Sequence, residues 1–187
     1  MYDVAKKSRK FPTKSLILTA LFVALLAVSA RVSFPFFLVP FTLQVLFVLL
    51  AGKLCGKLVG GLTVAIYILL GLAGLPFFTA GGGFEYVLKP SFGYIIGFLP
   101  AAIISGITYK NKKPSFIKEL LFALLADLAL YAVAIPYFFI VNIHFLNIET
   151  DIAGFLVTGF LVFLPGDIIK CLAASLIAIK VRPVLPA

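Results

Sequence analysis

The stretch FLPGDIIKCLAASLIAIK, residues 163–180, is apolar enough to lie in a lipid bilayer, yet Asp167 and Lys170 stand near its start, just after a Pro-Gly break. A charge deep in hydrocarbon costs roughly 2.5–3.5 kcal/mol on insertion scales. Three residues apart on a helix is the same face, and at about 1.5 Å per residue the two heads differ by about 4.5 Å in depth. Such a pair either neutralises itself as an internal salt bridge or opens into a cavity. A buried pair seldom stabilises more than packed hydrocarbon does, so a binding role explains its presence better.

The rest of the chain puts that stretch in context. Of 187 residues, 63% are hydrophobic and only 12% charged, with a mean hydropathy of +1.18. Soluble domains run at about 45–50% apolar and about 25% charged, so this is a membrane protein, of a length that suits one compact bundle. The net charge of +9 does not signal nucleic acid, because the cations cluster between apolar runs in the manner of basic cytoplasmic loops. The first apolar run follows MYDVAKKSRKFPTKS. A signal peptide would have a shorter core and a small-residue cleavage site, and more apolar runs follow, so the first is kept as a membrane span.

Six candidate spans emerge, at residues 15–32, 41–54, 58–73, 92–109, 117–139 and 164–180. The second and third are short for a bilayer, as expected of helices sheltered by neighbours. Between the third and fourth lies LPFFTAGGGFEYVLKPS, rich in Gly and aromatics. The apolar IAGFLVTGFLVFL before Pro165 reads as a half-helix or as the first part of a kinked last helix. With the N-terminus inside, thirteen of the 16 Lys and Arg fall on the inner side, in clusters at 6–14, 53–57, 110–118 and 180–182. Arg31 and Lys89 fall outside, and Lys170 lies within the membrane. That asymmetry places both termini in the cytoplasm. The expected architecture is an all-α, six-transmembrane-helix bundle, with a basic N-terminal segment (1–14), a single membrane domain (15–182) and a short tail (183–187).

With that topology Asp167 and Lys170 sit in the outer half. So does Gln44, early in the second span, either toward a ligand or bonded between helices. Tyr86, Lys89, Ser91 and Tyr94 gather around KPSFGY at the outer entry to the fourth span, as interface-belt residues or as parts of a lid. Asp127 falls near mid-depth and reads as a protonated, hydrogen-bonded carboxyl. Gly56-x-x-x-Gly60 and Gly93-x-x-x-Gly97 permit close helix approach. Ala20, Ala24 and Ala27 form a smooth stripe on the first helix, for packing within the bundle or for docking a membrane partner. Cys55 at the inner face and Cys171 in the outer half read as free, buried thiols, and His144 as a solvated loop residue. GKLCGKL lacks the spacer and the Ser or Thr of a phosphate loop. No metal-ligand set or nucleophile–base pairing is visible in the sequence, which argues against an enzyme.

Taken together, Ala20-x-x-x-Ala24, VPFTLQ ahead of LLAG, the Gly-rich turn leading to KPSFGY, and PGDIIK resemble the BioY family, the biotin-specific S components of energy-coupling-factor (ECF) transporters. The resemblance runs over residues 14–183. It departs at the fourth-span entry, where the family commonly reads G-P-T-x-G-Y and this chain has Lys89-Pro90-Ser91-Phe92-Gly93-Tyr94. The resemblance implies a six-helix, multi-pass subunit in a prokaryotic plasma membrane. Such a subunit captures biotin at the outer face and works with a transmembrane coupling subunit and two cytoplasmic ATPases, without a cofactor of its own. The family's last-helix acid and lysine map to Asp167 and Lys170, its second-helix glutamine to Gln44, and its partner-contacting alanines to Ala20 and Ala24.

Biotin's chemistry agrees with those residues. Asp167 can accept from the ureido N–H groups, Lys170 can donate to the ureido oxygen, and Gln44 can do either. Phe41, Phe92 or Tyr94 would flank the rings, and Lys89, Tyr86 or Ser91 would meet the carboxylate. An S component for another vitamin, a self-sufficient secondary carrier and a membrane enzyme remain as rival readings.

Overall fold

A computed structural model describes residues 13–34, 41–111, 114–146 and 151–184. The basic segment 1–14 and the tail 183–187 therefore lie mostly outside the described residues, as do the cations Lys6, Lys7, Arg9, Lys10, Lys112 and Lys113.

The apolar runs form helices, because a helix satisfies its backbone polar groups internally where no water can. In chain order they are α1 (Thr13–Arg31), α2 (Gln44–Leu72), α3 (Phe92–Ser105), α4 (Phe116–His144), the short α5 (Ile152–Leu156) and α6 (Leu164–Val181). Two short strands, β1 (Ser33–Phe34) and β2 (Phe41–Thr42), pair antiparallel between α1 and α2. Among the described residues, five helical stretches are long and apolar enough to cross a membrane: Thr13–Arg31, Gln44–Leu72, Phe92–Lys110, Phe116–His144 and Gly159–Val184. Their outward faces stay apolar, with Leu16, Ile17, Leu21 and Val28 exposed on α1 and Ile117, Leu121 and Leu128 exposed on α4.

The 29-residue α2 is not one rod. Gly56 interrupts it at φ 83°, ψ 165°, a region that only glycine visits without strain. The chain reverses there, so that a Cβ on Gly60 would stand 2.7 Å from the Cα of Gly52. Gly56 is thus the turn itself, and the small-residue contact runs between Gly52 and Gly60 rather than through Gly56-x-x-x-Gly60. Gly93 and Gly97 do serve as a close-approach pair: a Cβ on Gly97 would come 2.7 Å from the Leu130 carbonyl oxygen of α4.

α2 packs on α3, α3 on α4, α4 on α6 and α6 back on α2, closing a ring, while α1 lies against α2. The α1 face that packs inward carries Phe22, Val23, Leu26 and Ala30. Ala20 and Ala24 face outward, away from their own bundle, whereas Ala27 is half-buried against its core. Before α6 the chain passes through α5 and a π-helical turn, Val157–Leu161, and Pro165 occupies the first turn of α6. The apolar run before Pro165 is therefore a broken lead-in to the last helix. Both cysteines are free and buried, and His144 ends α4 exposed.

Candidate functional site

One end of the four-helix ring does not close. Between the start of α2, the start of α3, the later half of α4 and the start of α6 lies a cavity of about 510 Å³, counting its open mouth. Gln44 and Val45 enter from α2, Tyr94, Ile95 and Phe98 from α3, Leu130 and Tyr131 from α4, and Asp167 and Lys170 from α6. Thr42, Thr79, Tyr86, Ser91 and Phe163 complete the wall.

The charged pole belongs to α6. Pro165 and Gly166 open the helix, and Asp167 lies in its first turn, where the helix dipole favours an anion. Lys170 donates to Asp167 Oδ1 at 2.7 Å, and the Tyr131 hydroxyl donates to Oδ2 at 2.5 Å. The Lys170 ammonium also sits 4.0 Å over the centroid of the Phe41 ring, an attractive cation–π placement. Asp167 and Lys170 are 3% and 6% exposed. The pair is thus a salt bridge and a cavity wall at once. Carboxylate lone pairs and ammonium hydrogens outnumber the bonds formed, which leaves capacity for a ligand.

Gln44 lies across the cavity, held by two neighbours. Its Nε2 donates to the Tyr67 hydroxyl at 2.7 Å, and its Oε1 accepts from Thr42 Oγ1 at 3.3 Å. Tyr67 in turn donates to the Phe77 carbonyl at 3.0 Å. A tyrosine has one proton to give, so toward Gln44 it can only accept, which fixes the orientation of the amide.

The Gly-rich segment covers the mouth. Phe78 is fully buried against Tyr67, Tyr86 and Phe92, with ring centroids 5.6, 4.7 and 6.0 Å away. Three side-chain bonds strap the segment down: Tyr67 to the Phe77 carbonyl, Tyr137 to the Val87 carbonyl, and Arg31 to the Pro76 carbonyl. Tyr86 and Ser91 reach the cavity from this cover.

Of the residues singled out in the sequence, Asp167, Lys170, Gln44, Tyr86, Ser91 and Tyr94 share this one cavity. Lys89 does not join them: it is exposed, with its ammonium 4.8 Å over the Tyr86 ring. Phe92 is turned into the aromatic cluster of the cover, edge-on to Phe78, Tyr86 and Tyr137. Asp127 is 4% exposed, and its Oδ1 has no hydrogen-bond partner among the described residues, so the expected hydrogen-bonded carboxyl is not seen.

The opposite end of the same helices is sealed by a second charged group. Glu119 accepts from Lys53 at 3.0 Å, from Thr108 Oγ1 at 2.8 Å and from both terminal nitrogens of Arg182, at 2.9 and 3.1 Å. Lys53 and Glu119 are fully buried. Lys53 and Arg182 are therefore not solvated loop cations, because a carboxylate from α4 takes both.

The chain as a whole matches a known family. A model of the BioY family matches residues 5–187. The chain belongs to the BioY family. Similar relatives include the probable biotin transporter BioY of Lysinibacillus sphaericus, 40% identical over 89% of this chain and 85% of that one. The biotin transporter BioY of Thermotoga maritima is 37% identical over 90% and 96%. Among solved structures, the S component for biotin from an ECF-type ABC transporter aligns with a TM-score of 0.77 at 28% identity, covering 97% of this chain and 94% of that one.

Within this BioY-family chain, sequence reasoning missed Tyr131, Thr42, Thr79 and Phe163. Tyr131 is the most consequential, since it bonds the central acid. Its one signal in the sequence is its place four residues after Asp127, on the same face of an otherwise apolar helix.

Proposed function

We propose that this chain is a six-helix membrane subunit that captures biotin from the external side for ATP-driven uptake, and that it is not an enzyme. The observation that carries the reading is the convergence of Asp167, Lys170 and Gln44 on one cavity. The ureido group of biotin offers two N–H donors and one carbonyl, which suit Asp167 and Lys170 respectively. Charge-assisted bonds of this kind are roughly twice as strong as neutral ones. The rings would lie between Tyr94 and Phe163, and the carboxylate would reach the mouth near Tyr86 and Ser91, under the exposed charge of Lys89.

Counting the two arms of α2 as separate helices makes six, and an even number of crossings returns both termini to one side. The basic clusters make that side the cytoplasm. The outward alanines of α1, Ala20 and Ala24, with the half-buried Ala27 at their edge, suit close docking of a transmembrane coupling subunit, with two cytoplasmic ATPases as the energy source. The setting is the plasma membrane of a prokaryote. Calorimetry of the purified protein against biotin, thiamine and riboflavin tests the reading: saturable heat with biotin alone is expected, and binding of another vitamin in its place overturns it.

A further inference from the structure

We infer that Tyr131 is a positioning residue that fixes the Asp167 carboxylate for ligand capture. The inference rests on the binding reading above.

Asp167 projects from α6 and could rotate about its terminal torsion, since such torsions are broad. Two donors from different directions stop it: Lys170 on Oδ1, from its own helix, and the Tyr131 hydroxyl on Oδ2, from α4. With Lys170 alone, the carboxylate would be free to turn wholly toward the ammonium and away from the cavity. The tyrosine makes it present its remaining lone pairs to the pocket.

The hydroxyl is itself held in place. The Tyr131 ring is 4% exposed, packed edge-on against Phe160 at 4.7 Å and against Tyr94 at 5.9 Å. Tyr94 is tied to the Gly159 carbonyl at 2.7 Å. Side chains from α3 and from the turn before α6 thus set the ring on α4, which sets the hydroxyl, which sets the acid. Because its proton goes to Asp167, the tyrosine oxygen can only accept toward the cavity it also lines. A ligand rich in N–H donors meets acceptors from both residues.

The test is a double-mutant cycle on the full chain in detergent, using Tyr131→Phe, Asp167→Asn and the pair. Tyr131→Phe keeps the ring packing and removes only the hydroxyl. Biotin affinity is expected to fall roughly tenfold or more, the scale for a hydrogen bond to a charged group, with little change in melting temperature. Adding Tyr131→Phe to Asp167→Asn should then cost much less than that, because coupled residues are non-additive. An infrared difference spectrum of the ligand-free protein, wild type minus Asp167→Asn, provides a readout independent of ligand. Its carboxylate band is expected to shift in the Tyr131→Phe background. An unshifted band, wild-type affinity in Tyr131→Phe, or additive losses would each overturn the inference. If the wild type binds no biotin, the binding reading falls, while the carboxylate band still decides the role of Tyr131.

Discussion

The Gln44 amide donates to the Tyr67 hydroxyl at 2.7 Å, across 23 positions of a single helical element. On a straight α-helix those residues would stand about 34 Å apart at 1.5 Å per residue. The bond exists because α2 folds back at Gly56, and it joins the cavity to its cover, since the same hydroxyl donates to the Phe77 carbonyl. Replacing Tyr67 by Phe frees the Gln44 amide to flip and cuts one strap of the cover. Biotin affinity is expected to fall severalfold, with faster dissociation, as measured by stopped-flow or surface plasmon resonance.

Gly56 makes the fold-back possible. Gly56→Ala places a Cβ at φ 83° and 2.8 Å from the Tyr109 ring. Backbone strain of this kind costs about 1–3 kcal/mol, so the detergent-solubilised variant should melt at a lower temperature. Gly74→Ala, also at positive φ but with open space around its Cβ, meets the strain alone and should lose less.

At the sealed end, Glu119→Ala strands Lys53 in a dry interior. Removing one partner of a buried ion pair costs about 3–5 kcal/mol, and pairing it with Lys53→Met should restore part of the loss. Thermal unfolding checks both. The ligand affinity of the folded fraction should be unchanged, because this cluster lies at the other end of the helices from the cavity.

Lys89 faces water above the Tyr86 ring. Exposed charges contribute 0–1 kcal/mol at most sites and act mainly on the association rate. Lys89→Ala should slow biotin association by less than about fivefold, leave the dissociation rate alone, and lose even that difference at high salt. A large rise in the dissociation rate would place the ammonium on the ligand instead.

What was legible in the sequence follows from contrast. Asp167, Lys170 and Gln44 stand out because polar groups in apolar helices need a reason, and three-residue spacing gives the acid and amine a common face. The ends of the two α2 arms were visible because Lys53, Gly56 and Lys57 interrupt the hydropathy. Their reversal was not: a glycine turn and a glycine packing motif look alike until φ is known. Tyr131 was hidden because a tyrosine in a run of Leu and Ala is normally core filling. Lys53 and Arg182 read as loop cations because their partner, Glu119, is 66 and 63 residues away in the chain, and hydropathy carries no information about such contacts. The alanine stripe was plain, but the direction it faces depends on which side of α1 meets α2.

Equilibrium binding of biotin to the wild type, Asp167→Asn and Lys170→Met tests the acid–amine site most directly. The wild type should bind biotin saturably, and each variant should lose roughly 10- to 100-fold in affinity, the range for hydrogen bonds to charged groups, while keeping the fold. Biotin binding that survives both substitutions at wild-type strength would contradict the account.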